Sequence, residues 1–230
     1  ISVPSDMSPD SFTLNVEGDA ELNEEFTANV TVSGIDTETA ITISGTGGEY
    51  KIDDGDYTIA SSTVVNGQTV TVKATAADTF ATLREITLTI GDQSDVFSVT
   101  TRDAIITPAD FEFTATLDVE PGSDNESNSI TVADIEIPVA ISITDGEYKI
   151  DDGDYTAAQG TVSADQIVTV RVTASDSFAT DTTASLTIGD KTADYVVTTK
   201  EADQTPDAFV LSFPDLSEDL KADLDTEYTS

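Results

Sequence analysis

Glu49-Tyr50-Lys51-Ile52-Asp53-Asp54-Gly55-Asp56-Tyr57-Thr58 returns unchanged as Glu147-Tyr148-Lys149-Ile150-Asp151-Asp152-Gly153-Asp154-Tyr155-Thr156. The register of 98 residues then holds without a gap to the paired ends Val99-Thr100-Thr101 and Val197-Thr198-Thr199, with about 30 of 53 positions identical. Solenoid units run to roughly 20–50 residues, so this period is too long for one. It suits a self-contained β-sandwich. The repeat reaches further out as well. Ser8-Pro9-Asp10-Ser11-Phe12 aligns with Thr107-Pro108-Ala109-Asp110-Phe111 and with Thr205-Pro206-Asp207-Ala208-Phe209. The chain is therefore expected to hold one repeat over 1–105, a second over 106–203, and the start of a third over 204–230. The last stretch could instead complete the second sandwich. Glu227-Tyr228-Thr229-Ser230 matches Glu25-Phe26-Thr27-Ala28, which reads as a cut inside a repeat of a longer protein.

Within each repeat the apolar residues alternate. Phe26, Ala28, Val30 and Val32 do so, as do Val70, Val72 and Ala74, and then Ile86, Leu88 and Ile90. The second repeat follows with Ile130 and Val132, with Val168, Val170 and Val172, and with Ala184, Leu186 and Ile188. Period two puts one face of a strand in a core and the other in water. Thr and Val, both abundant here, favour that pleated, half-buried surface. Asp54-Gly55, Asn66-Gly67 and Gly91-Asp92 read as hairpin turns. The expected fold is all-β: tandem immunoglobulin-like Greek-key sandwiches of about seven strands each. Leu216 to Leu224 alone has a helical look, and it is short and acidic.

Charge narrows the function classes. The chain carries 45 acidic and 9 basic residues, a net charge of −36. That surface repels nucleic-acid phosphate and anionic membranes, so neither is an expected partner. It also repels itself, and salt or bound cations would relieve the strain: the Debye length falls to about 3 Å at 1 M salt. No apolar run approaches the ~18 residues of a membrane span. There is no Cys, hence no disulfide. His and Trp are absent too. Without His or Cys the usual nucleophile and base pairings are missing, and there is no Gly-rich phosphate loop or zinc ligand set. The expectation is a non-enzyme. Repeated, alternating aromatics, among them Phe12, Phe80, Phe97 and their counterparts, are expected in the cores. Lys51 shares a face with Glu49, opposite Tyr50 and Ile52, and is expected outside, which argues against an intramolecular isopeptide bond.

Three stretches carry a resemblance: Ile130 to Thr156, Thr69 to Ala76, and Leu186 to Thr199. They resemble the bacterial immunoglobulin-like (BIg-type) repeats of giant, type I-secreted, RTX-like surface adhesins. The resemblance implies an extracellular spacer at the bacterial cell surface. It would hold a distal binding module of unspecified ligand away from the cell, with calcium stiffening the domain junctions. Its partners would be the neighbouring repeats of the same monomeric chain.

Calcium takes 6–8 oxygen ligands, and this chain is rich in carboxylates. Asp53-Asp54-Gly55-Asp56 and its copy do not follow the EF-hand order. They read as tight turns in which Gly takes positive φ and Asp caps the backbone. The junctions are the sharper candidates. Sandwich loops cluster at the two ends of a domain, which would bring Asp78 and Asp190 to face each other across the first junction, with the linker acids Asp103 and Asp110 and the loop acid Asp134. Asp203 and Asp207 would serve the second junction. Asp92, Asp176 and Glu136 lie in comparable loops. The bland alternative is that these acids face solvent, as most do. The linker is only about six residues long and ends at Pro108, with no Gly/Ser tract to loosen it. Two other readings stay open: a module that itself binds a glycan or a matrix protein, and an accessory domain of a polysaccharide-degrading enzyme.

Overall fold

A computed structural model describes residues 5–207. All its regular structure is β, in two sandwiches that follow one another along the chain. In the first, one sheet runs in the order β1 (Val16–Ala20), β8 (Gln93–Thr101), β7 (Leu83–Ile90), β3 (Thr39–Ser44), β5 (Ser62–Val64). The facing sheet is β2 (Glu25–Thr31), β6 (Thr69–Thr75), β4 (Gly48–Ile52). In the second, β14 (Gly160–Val162), β12 (Val139–Thr144), β16 (Asp181–Ile188), β17 (Lys191–Thr199) and β9 (Thr116–Val119) form the larger sheet. The smaller has β15 (Ile167–Thr173) at its centre. On one side lies β13 (Glu147–Ile150), on the other β10 (Asp124–Glu126) and β11 (Ile130–Thr131). No pairing joins a strand of one sandwich to a strand of the other. The two expected Greek-key sandwiches are present, with eight and nine strands. The extra members are β1 and β9, which pair in parallel with the last long strand of each unit, and a split edge strand in the second.

The alternation read from sequence becomes the cores. Tyr50, Val70, Val72, Ile86, Leu88, Ile90 and Phe97 fill the first; Val168, Val170, Leu186, Ile188 and Tyr195 fill the second. Burying each such side chain contributes roughly 1.5–3 kcal/mol, which lets units of about 98 residues stand without disulfides. Tyr50 and Tyr148 enter with their rings and donate their hydroxyls to Ala60 O (2.7 Å) and Ala158 O (2.9 Å).

Three readings need correction. Asn66-Gly67 does not close a hairpin: β5 and β6 lie in different sheets, so the turn carries the chain across the sandwich. Gly67 (φ +89) and its counterpart Asp165 (φ +67) hold that crossing in the left-handed region. In the Asp-Asp-Gly-Asp turns the positive φ falls on Asp53 (+49) and Asp151 (+51), not on the glycines. These aspartates do cap backbone, as expected: Asp53 accepts Thr69 N (2.9 Å) and Gln68 Nε2 (2.9 Å), and Asp151 accepts Ile167 N and Gln166 Nε2. Phe80 is only half-buried, and its counterpart Phe178 is 47 % exposed, so this pair is not core. The two repeats also differ at one edge. β2 pairs with β6 without interruption over seven residues, whereas the equivalent strand breaks at Ser127-Asn128-Ser129. One extra residue there bulges the chain out. Ser127 Oγ takes the Val170 N–H (3.0 Å), and the Asn128 side chain turns back to Glu112 O and Thr114 N. Bulges end edge pairing in this way. Residues 208–230, including Leu216 to Leu224 and most of the third repeat's start, lie outside the described residues.

Candidate functional site: the junction between the sandwiches

Thr101 ends β8 buried, and Pro108 is buried at the start of the next unit. Between them the chain is anchored twice. On the first side, Arg102 N donates to Ala20 O (3.0 Å) and Ala81 N donates to Arg102 O (3.0 Å). On the second, Glu136 N donates to Ile105 O (2.8 Å), and Ile105 N donates to Glu136 Oε2 (2.9 Å). Only Asp103 and Ala104 separate the residue fixed to one sandwich from the residue fixed to the other. Three Cα steps span about 11 Å at most, so the two units meet at contact range.

Arg102 fills the joint. Its Nε donates to both oxygens of Glu21 on the first sandwich (3.0 Å each). Its Nη1 and Nη2 grip the Glu136 carboxylate of the second in parallel, at 2.7 and 2.6 Å. Nη1 also reaches Asp103 O (3.1 Å). The guanidinium lies 5.1 Å from the centre of the Phe80 ring. A planar fork suits this position because it holds a carboxylate in two parallel bonds and stacks on an aromatic face, which a lysine cannot match. The Arg102 guanidinium, then the Ile105 N–H, hold the Glu136 carboxyl down at about 2. Glu136 first and Glu21 second hold Arg102 above its ordinary value.

The expected calcium ligands take other positions. Asp110 pairs with Lys191 of its own sandwich (2.7 Å), whose ammonium lowers its pKa. Asp190 accepts a long bond from Thr107 Oγ1 (3.4 Å). Asp134 sits in a turn at φ +64. Asp203 accepts Thr205 N (2.8 Å) and the Thr205 hydroxyl. Asp78, Asp103 and Asp207 are exposed, as are Asp92 and Asp176. Among the described residues no three Asp, Glu, His or Cys converge to hold a metal ion. The junction carboxylates Glu21 and Glu136 are gathered by a cationic side chain, Arg102.

Each basic side chain among the described residues is engaged. Lys51 lies over Tyr57 (5.4 Å), so it is on the outer side as expected. Lys149 and Arg171 lie over Tyr155 (4.9 and 4.1 Å). Burial, then Glu126, pushes the Tyr155 hydroxyl up to about 12, so it stays protonated at neutral pH. Beside the linker, Ile106, Ile137, Pro138 and Val139 line an apolar groove of about 440 Å³. The first repeat carries Met7, Thr37, Glu38 and Thr39 at those positions.

No family model matches the chain, and no curated protein matches it. Solved structures do. The titin domains z1z2 in complex with telethonin align over 88 % of this chain and 100 % of theirs, at 13 % identity and a TM-score of 0.46. The D0-D1 domain of intimin aligns over 84 % and 96 %, at 14 % identity and 0.28. An endo-fucoidan hydrolase of glycoside hydrolase family 107 aligns over 88 % of this chain but 30 % of its own, at 12 % identity and 0.27. At these scores the fold rests on the strand order above: the chain is a tandem of immunoglobulin-like β-sandwiches.

Proposed function

We propose that this chain is a spacer segment of a bacterial cell-surface adhesin, non-catalytic and extracellular, whose stacked sandwiches project a distal binding module. One observation carries the reading: two residues of free linker, bridged by Arg102 between Glu21 and Glu136, make a joint suited to holding a fixed spacing. Whole-domain repetition fits reach and valency, which gain from copies. Calcium enters this proposal chiefly as a neutraliser of the −36 charge along the array. Asp203 and Asp207 would be its ligands toward a further junction. Small-angle scattering of the chain with calcium and with chelator, at matched ionic strength, tests the reading. A fixed maximum dimension in both, slightly longer with calcium, supports a stiff spacer; a broad average of bent forms in both sinks it.

A second reading has its own observation. The Ile106–Ile137–Pro138 groove is lined by apolar side chains whose first-repeat counterparts are Met7, Thr37 and Glu38, so the two repeats present different surfaces there, as a direct protein-binding module would have it. Loss of matrix-protein binding in I137E, with unchanged folding, would favour that reading over the spacer.

A further inference from the structure

The far pole of the second sandwich repeats the surface on which the second sandwich is seated. Lys200 stands where Arg102 stands: Lys200 N donates to Val119 O (2.9 Å) as Arg102 N does to Ala20 O, and Ala179 N donates to Lys200 O as Ala81 N does to Arg102 O. Ala81 and Ala179 share φ +48. Thr199 Oγ1 donates to Ser177 O (2.7 Å) as Thr101 Oγ1 does to Thr79 O (2.7 Å). Lys200 Nζ pairs with Glu120 (2.6 Å) as Arg102 pairs with Glu21. One part differs. At the first pole Glu136 completes the set and Phe80 lies under the guanidinium. At the second, Phe178 is 47 % exposed and the Lys200 side chain 42 %.

The complementary half also recurs. Glu136 and Ile105 clasp each other through two bonds, and Asp36 and Asp6 do the same at the first sandwich. Asp36 N donates to Asp6 O (3.0 Å) and Asp6 N to Asp36 Oδ1 (2.7 Å). An acid clasped to the incoming chain is thus a property of the near pole of each repeat. A cation paired with an acid of the neighbouring loop, Arg102 with Glu21 and Lys200 with Glu120, is a property of the far pole.

We infer that Lys200 and Phe178 form a docking surface for the near pole of a further sandwich of this repeat type, whose acid at the position of Asp36 and Glu136 takes the Lys200 ammonium. The inference rests on the spacer reading and on Thr205-Pro206 opening another repeat. Two structural observations name the occupant: the seated partner on the equivalent surface one repeat earlier, and the charge it presents there. Lys200 offers a point charge where Arg102 offers a fork, so this junction is the looser of the two.

The test extends the chain. Residues 206–230 are exchanged for a second copy of residues 108–203, which sets a copy of Glu136 against Lys200. The chain has no cysteine, so two introduced ones, on exposed positions of the second and third sandwiches, report this junction alone by pulsed EPR. The parent should give one narrow distance. K200E and F178A should each lose it, and K200E combined with Lys at the copied Glu136 should regain it. K200R should sharpen it. A K200E distribution as narrow as the parent's overturns the inference. The same labels placed across the first junction, with R102E as variant, separate the causes. If the parent's first junction is itself broad, the spacer reading fails. If it is narrow and R102E broadens it while the second junction ignores K200E, only this inference fails.

Discussion

Tyr195 and the break in the neighbouring edge strand specify each other, and exchanging one residue between the repeats should reveal it. Phe97 and Tyr195 occupy the same place, both fully buried. The Tyr195 hydroxyl donates to Glu126 O (2.9 Å), the last residue before the bulge, and takes a hydrogen bond from Thr116 Oγ1 (2.7 Å). Y195F removes both bonds and leaves a carbonyl and a hydroxyl to find water at a half-open edge. A net bond contributes about 1 kcal/mol, and an orphaned group costs about 1–3. The expected loss is therefore about 1–2 kcal/mol, less than the two bonds and their orphaned partners summed, because both partners lie near solvent. For a unit of this size each kcal/mol lowers Tm by roughly 4–8 °C, so the second sandwich should melt about 5–15 °C earlier. The reverse change, F97Y, places a hydroxyl against the unbroken β2 ladder. It should cost about 2–3 kcal/mol, from the unpaired hydroxyl and the added volume. Calorimetry of each variant, with urea titration to assign the two transitions, measures both. A neutral Y195F, within about 0.5 kcal/mol, or a stabilising F97Y would refute the reasoning.

Other outcomes follow from the same contacts. The Glu136 carboxyl is depressed from 4.5 to about 2, so its contribution to the junction is fully present above about pH 4.5 and lost as pH falls through about 2. Interdomain order in the parent should persist at about pH 4 and fail near pH 2, while R102A should show no such step by residual dipolar couplings. Gly45 has φ +107, and a Cβ there would lie 2.2 Å from Glu85 O. G45A should destabilise the first sandwich by about 1–3 kcal/mol in urea and leave the second unchanged. With 45 acids against 9 bases, thermal stability should rise with added NaCl, and calcium should raise it further at matched ionic strength. Equal melting curves in calcium and chelator would remove the cation from the account.

The strands were legible because alternation reports burial directly: Val70, Val72 and Ala74, or Ile86, Leu88 and Ile90, need only their own neighbours to declare a face. Turn chemistry said less. Asn66-Gly67 correctly announced a reversal, but the choice between a hairpin and a crossing depends on which sheet receives Thr69 to Thr75, and that is a tertiary matter. The bulge had a signal in the alignment, one extra residue near Asn128 together with Tyr in place of Phe at 195, yet the bond linking them is 69 residues long in sequence. The junction was misweighted for a different reason. Linker acids are common in so acidic a chain, and so say little individually. The scarce cations say more, and Arg102 and Lys200 recur at one position of the repeat, just past the last strand. Phe80 and Phe178 repeat like core residues, yet Phe80 lies under the Arg102 guanidinium at the end of its sandwich and Phe178 is 47 % exposed.

The most direct test of a stiff spacer is the distance distribution across the first junction. Two cysteines, introduced at exposed positions of the first and second sandwiches, are labelled and measured by pulsed EPR in the parent, in R102E, and in R102E/E136R. A narrow parental distance, broadened by R102E in calcium and in chelator alike and narrowed again by the paired reversal, is the result expected of a joint held by Arg102. A parental distribution as broad as that of R102E would mean that the two sandwiches are merely tethered.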